Sequence, residues 1–205
     1  MEGIIHFPET VNKKIPGIIV LHPHPLYGGS MHNNVVESIC EGMVENNMIA
    51  LRFNCRGVGQ SQGDNPTETN GMKDVLSAIK YFNSQVEGLD SENIGFCGYS
   101  WGSKVGLEAS WEHPAIKYLI GISPPLMMFS FNFLKNSTKP KYLIVGALDQ
   151  FCTIDKFNRL CKNLSNIDYD VIEGADHFYW GHEKKLKKLV IDFIKKNDYL
   201  DINEY

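Results

Sequence analysis

The chain has 205 residues, of which 43% are apolar, 21% charged and 11% aromatic, and its 20 Lys+Arg against 24 Asp+Glu give a formal net charge of −4. That length suits one domain, or at most two small ones. Folding at this size buries roughly 70% of the unfolded surface, so no disulfide or metal staple is needed. The charge balance lacks the basic footprint of a nucleic-acid binder, and no apolar run reaches the ~18 residues of a membrane-spanning helix.

Residues 1–8 show no basic segment, long apolar core or small-residue cleavage site, so no secretory signal is expected. The five cysteines, Cys40, Cys55, Cys97, Cys152 and Cys161, are scattered and form no Cys-x-x-Cys pair. Reduced thiols in a cytoplasmic protein are the expectation. The β-branched run Ile18, Ile19, Val20, Leu21 then predicts a buried strand ending at a His/Pro/Gly cluster. Val35, Val36, Ile39, Cys40 and Met43 follow at helical spacing. A strand is predicted over 48–53, a helix whose face carries Met72, Val75, Leu76, Ile79 and Phe82, and a strand over 93–99. A small-residue helix from Trp101 to Ser110 comes next, then strands over 118–122, 142–146 and 169–172. Leu186, Leu189, Val190, Phe193 and Ile194 mark the last helix. With no repeat, linker or low-complexity tract, the expectation is one domain over 1–205. Continuous apolar strands alternating with helices predict an α/β fold: a mostly parallel, doubly wound sheet covered on both faces. Right-handed crossovers bring every strand's C-terminal end to one edge, where such sheets carry their chemistry.

What stands at those ends is therefore informative. Gly98-Tyr99-Ser100-Trp101-Gly102 fits G-x-S-x-G, the sharp strand-to-helix turn that exposes a serine to a base. Gly59-Gln60-Ser61-Gln62-Gly63 fits it equally, but Ser61 sits in loop-forming sequence with no helix after it, which marks a turn residue. Ser100 alone would be explained as a helix N-cap. Its partners argue for more. Asp149 follows the 142–146 strand and His177 follows the 169–172 strand, giving the order serine, acid, histidine. In this assignment His177 takes the Ser100 proton and Asp149 orients the imidazole. Asp155 is the second choice for the acid; Asp170, Asp176 and His182 rank lower. Trp101 should offer one backbone N–H to a developing oxyanion. The second must come from the loop His22-Pro23-His24-Pro25-Leu26-Tyr27-Gly28-Gly29. Pro23 and Pro25 cannot donate, leaving His24, Leu26 or Tyr27; Leu26 is preferred. His22, His24 and His32 lack carboxylate or thiol companions at ligand spacing, so neither a metal nor an organic cofactor is expected.

At these residues the chain resembles the α/β-hydrolase superfamily, and more narrowly the small bacterial branch related to dienelactone hydrolases. The resemblance rests on 21–29, on the Arg-Phe-Asn-x-Arg-Gly-Val-Gly-x-Ser-x-Gly segment over 52–63, on the 98–102 elbow, and on the pieces at 146–149 and 175–178. It implies a minimal hydrolase fold with a Ser-His-Asp triad and no large cap domain. Three departures are visible. Dienelactone hydrolases proper use a cysteine where Ser100 stands, the close branch usually has Phe where Trp101 stands, and one strand rather than two fits ahead of the 22–29 loop. Trp101 is expected to narrow the pocket.

A dinucleotide site at Gly57-Val58-Gly59 fails because Gln62 replaces the third glycine. The lysines of the last helix read as a solvated face. The apolar connection from Pro124 to Phe133 would line an acyl pocket or pack over the sheet edge, with a homodimer contact third. The expected activity is that of a serine esterase or thioesterase acting on a small molecule through an acyl-enzyme. The rival is a non-catalytic binding or scaffold protein on the same fold.

Overall fold

The structure, a computed structural model, describes residues 1–64 and 66–199. Seven strands run β1 (Gly3–His6), β2 (Ile15–Leu21), β3 (Ile49–Phe53), β4 (Leu89–Tyr99), β5 (Ile116–Ile122), β6 (Lys141–Gly146) and β7 (Ile167–Ile172). Among the described residues five helices accompany them: α1 (Asn34–Glu45), α2 (Glu68–Gln85), α3 (Trp101–Ser110), α4 (Ile154–Cys161) and α5 (Glu183–Lys196). The strands lie in the order β1-β3-β2-β4-β5-β6-β7, all parallel except β1, which pairs antiparallel with β3.

The period of two along each strand divides the core into halves. Ile15, Ile19 and Leu21 of β2 face one side with Leu143 and Val145 of β6, and there they meet α2, α3 and α4 through Val75, Phe82, Val105 and Phe157. Ile18 and Val20 face the other side with Tyr142 and Ile144, under Val36, Ile39 and Met43 of α1 and Val190 and Phe193 of α5. Both faces are covered, which is why these strands are apolar runs rather than alternating ones. The α/β doubly wound architecture is as expected, with no helical cap among the described residues: the β5–β6 connection contains only a 3-10 turn over Asn132–Asn136. No helix among the described residues is long and apolar enough to cross a membrane.

One expectation fails. Two strands, not one, precede the loop after Leu21. The extra strand, β1, has four residues at the sheet edge, too few to show a period. Tertiary hydrogen bonds hold the chain just ahead of it: the Glu2 N–H donates to Ser61 Oγ (2.9 Å), Asn54 N–H to the Glu2 carbonyl (2.9 Å), and Asn54 Nδ2 to Glu2 Oε2 (2.8 Å).

Candidate active site

β2 and β4 are neighbours, paired in register at Leu21 and Gly98. From β2 the chain runs outward to β3, and it comes back to β4 on the other side. The loops leaving these two strands therefore diverge and open a crevice at the sheet's C-terminal edge. Ser100 stands there, directly after β4 and one residue ahead of α3, at φ 55° and ψ −122°. A side chain at positive φ costs of order 1–3 kcal/mol unless its surroundings enforce it. Here the Ser100 N–H donates to the Ile122 carbonyl (2.8 Å), and the Ser100 carbonyl accepts from both the N–H (2.9 Å) and the hydroxyl (2.6 Å) of Ser103. The elbow's glycines have steric reasons. A Cβ on Gly98 would collide with the Gly102 carbonyl, and one on Gly102 would lie 2.5 Å from the His22 carbonyl oxygen.

The loops after β6 and β7 bring two more side chains to Ser100. His177 Nε2 lies 2.9 Å from Ser100 Oγ, and His177 Nδ1 lies 2.8 Å from Asp149 Oδ2. Asp149 Oδ1 accepts from the Phe151 (2.8 Å) and Cys152 (3.0 Å) amides. An ionised carboxylate only accepts, so Nδ1 carries the imidazole proton and Nε2 is left to accept from the serine hydroxyl. All three residues are buried. Leu148 N–H donates to the Ala175 carbonyl (2.9 Å), tying the two loops together. A further tie comes from Tyr99, whose hydroxyl donates to the His177 carbonyl (2.7 Å).

The 22–31 loop faces the serine from β2. It folds into a 3-10 turn over Pro25–Tyr27 that consumes its own amides. The Leu26 N–H donates to His24 Nδ1 (3.2 Å), those of Tyr27 and Gly29 to the His24 carbonyl (both 3.1 Å), and that of Gly28 to the Pro25 carbonyl (3.0 Å). Leu26 is 75% exposed and lies outside the cleft lining. The preference for Leu26 as an oxyanion donor is therefore corrected: its amide is turned into the 3-10 turn. Of the amides weighed, the His24 N–H is left without an acceptor among the described residues, and His24 lines the cleft beside Ser100, as does Trp101, whose N–H is likewise without one. From β3, Arg52 Nη1 donates to the Met31 carbonyl and Asn54 Oδ1 accepts from the Met31 N–H, both at 2.8 Å, so the Arg-Phe-Asn segment clamps this loop.

These elements enclose a cleft of about 470 Å³. His24, Tyr27 and Gly28 form one wall, Pro125, Met128 and Phe129 another, and Phe151 and Phe178 flank His177 with ring centroids at 4.7 and 5.7 Å. The apolar connection thus divides its labour, since Phe131 and Leu134 turn into the core. The Trp101 indole is 1% exposed, packed against His22 and His24 and close to Gly71.

No family model matches the chain. It is 31% identical over 197 residues to the uncharacterized protein RP471 of Rickettsia prowazekii, covering 92% of this chain and 82% of that one. Among solved structures, an α/β serine hydrolase homologue from Coxiella burnetii is 26% identical at a TM-score of 0.84, over 93% of this chain and 89% of that chain. A candidate α/β hydrolase from Agrobacterium tumefaciens is 28% identical at 0.86, over 95% and 90%. The chain belongs to the α/β-hydrolase superfamily. A lidless α/β serine hydrolase from Xanthomonas campestris shares this chain's fold at a TM-score of 0.86 and 22% identity, over 98% and 90%.

Other polar residues of this α/β-hydrolase are committed elsewhere. Ser61 Oγ donates to the Asn54 carbonyl (2.7 Å) while accepting from Glu2, so it is a loop tie. Asp155 lies exposed in the first turn of α4, Asp176 Oδ1 accepts from the Phe178 amide (2.9 Å), and Asp170 accepts from the Tyr142 hydroxyl (2.7 Å). His182 caps α5 by position. Fully buried His22 donates from Nδ1 to the Pro23 carbonyl (2.7 Å) and accepts at Nε2 from Cys55 N–H (3.1 Å), and burial pushes its pKa down to about 4. Both its nitrogens are occupied. No group of three metal-binding side chains converges among the described residues. All five thiols are buried; burial pushes Cys40 and Cys161 up to about 12 and the rest also upward, which suppresses the reactive thiolate.

Proposed function

We propose that this protein is a serine hydrolase cleaving a carboxylic ester or thioester of a small molecule through an acyl-enzyme, with Ser100 as nucleophile, His177 as general base and Asp149 as its orienting acid. One observation carries the reading. The hydrogen-bonded row from Asp149 through His177 to Ser100 opens on a cleft where the His24 and Trp101 N–H groups have no acceptor among the described residues. Ser100 Oγ attacks the carbonyl carbon as its proton passes to His177 Nε2. The carbonyl oxygen takes up negative charge and is stabilised by the two N–H groups and the N-terminal end of α3. Collapse expels the leaving oxygen or sulfur, which takes the proton from Nε2. Water then repeats the sequence, losing its proton to Nε2, and releases the acid with Ser100 restored. The two bonds from the Asp149 carboxylate to backbone amides fix it under the imidazole, so the charge forming on His177 meets a pre-placed counter-charge.

A fluorophosphonate serine probe tests this directly. Wild type and Ser61→Ala should label and turn over p-nitrophenyl esters, and Ser100→Ala should do neither. Folded wild-type protein that neither labels nor turns over such esters would refute the hydrolase reading in favour of a binding protein.

A further inference from the structure

The four loops that build the cleft wall, 22–33, 123–131, 147–153 and 173–182, contain no Lys or Arg. Their three carboxylates are Asp149, Glu173 and Asp176. Among the described residues, none of these lines the cleft, and neither does any other Lys, Arg, Asp or Glu. Burial depresses the pKa of His24 in the lining and of His22 behind it. The same loops expose Leu26, Tyr27, Met127, Met128, Leu148, Phe178 and Trp180. Lys135, Lys156 and Arg159 line a separate groove beside Leu126, whose carbonyl accepts from Lys156 Nζ (3.3 Å). A chain with 21% charged residues thus lines its cleft, among the described residues, with aromatic, thioether and neutral polar side chains and no Lys, Arg, Asp or Glu.

We propose that the acyl group this site accepts is uncharged and apolar, and that acyl groups ending in a carboxylate or phosphate are rejected. The inference rests on the hydrolase reading above and concerns the substrate of the same Ser100. An anionic group entering the cleft would give up water and find no Lys or Arg among the described lining residues, only donors such as Tyr27, Asn33 and Trp101. An alkyl or aryl group of equal length loses nothing polar and covers Met128, Phe129, Phe151 or Phe178.

A matched pair of substrates tests this. p-Nitrophenyl hexanoate and mono-p-nitrophenyl adipate release the same leaving group and differ in having a methyl or a carboxylate at the chain end. The hexanoate should be favoured in kcat/KM by at least about tenfold. A smaller ratio, or preference for the adipate, overturns the proposal. Met128→Lys, at a half-exposed wall position that tolerates a charge, should shrink that ratio by about fivefold or more. An unchanged ratio in this variant overturns the electrostatic cause. Because each ratio is taken within one protein, losses of folding or of Ser100 reactivity cancel. Fluorophosphonate labelling in the same preparations separates the two failures. Labelled enzyme without selectivity sinks only this inference, whereas unlabelled, inactive enzyme sinks the hydrolase reading and this one with it.

Discussion

Replacing Tyr99 by Phe removes one oxygen from beneath the site. That oxygen donates to the His177 carbonyl at 2.7 Å, from a side chain only 2% exposed. The ring that packs against Tyr179 and His177 is retained, so no large cavity opens. A buried carbonyl left without its donor costs about 1–3 kcal/mol. For a chain of this length that corresponds to a melting temperature lower by roughly 3–10 °C. The functional effect has a separate cause. Tyr99 immediately precedes Ser100, so its hydroxyl ties the histidine loop to the very turn that holds the serine. Without it the His177 backbone is free to drift while Asp149 still holds the ring. We expect kcat to fall about tenfold, equivalent to about 1.4 kcal/mol of transition-state stabilisation, with KM little changed. Urea unfolding and steady-state turnover of a p-nitrophenyl ester measure the two effects. Tyr142→Phe provides the comparison: its hydroxyl, on a residue only 3% exposed, donates to Asp170 (2.7 Å), between β6 and β7, and its loss should lower stability while sparing kcat. If both variants keep the wild-type kcat, the tie from Tyr99 does not position the base, and the reasoning fails.

Two further changes probe the site and its support. Asp149→Asn would present an amide N–H to His177 Nδ1, favouring the tautomer whose Nε2 carries the proton and cannot accept from Ser100. Turnover should fall by roughly 10³–10⁴-fold in protein that still unfolds cooperatively, and a loss below tenfold would remove Asp149 from the proposed role. His22 makes a pH prediction. Its pKa of about 4 in the folded protein lies below the ordinary value of 6.5, so between these pH values the unfolded chain binds a proton that the folded one refuses. Stability is therefore complete above about pH 6.5 and lost as pH falls towards 4, by about 3 kcal/mol in all. His22→Gln, which can still donate and accept, should flatten that part of the stability–pH curve; an unaltered slope would show that His22 is not its source.

How much of this was legible in the chain depends on the range of each interaction. Ile18 to Leu21 announce a buried strand because β-branched residues in an unbroken run fit a sheet covered on both faces. Ser100, Asp149 and His177 could be singled out because each directly follows a strand, and strand ends share an edge in any parallel sheet. The four residues of β1 carried no such signal, since their partners lie in β3 and in the loop after it. The Leu26 amide was misjudged for a related reason: proline positions exclude donors, but only the folded 3-10 turn shows which remaining N–H groups are already spent. Nor could sequence reveal that the Tyr99 hydroxyl reaches a carbonyl 78 positions later. The sequence by itself determined the layered α/β architecture and the order in which polar residues arrive at one edge, through local periodicity and chain connectivity. Only the tertiary structure decided which amides stay free beside Ser100, which rings enclose the cleft, and that no Lys, Arg, Asp or Glu enters its described lining. Those outcomes depend on directions and distances between loops remote in sequence, set by how the whole sheet and its helices pack.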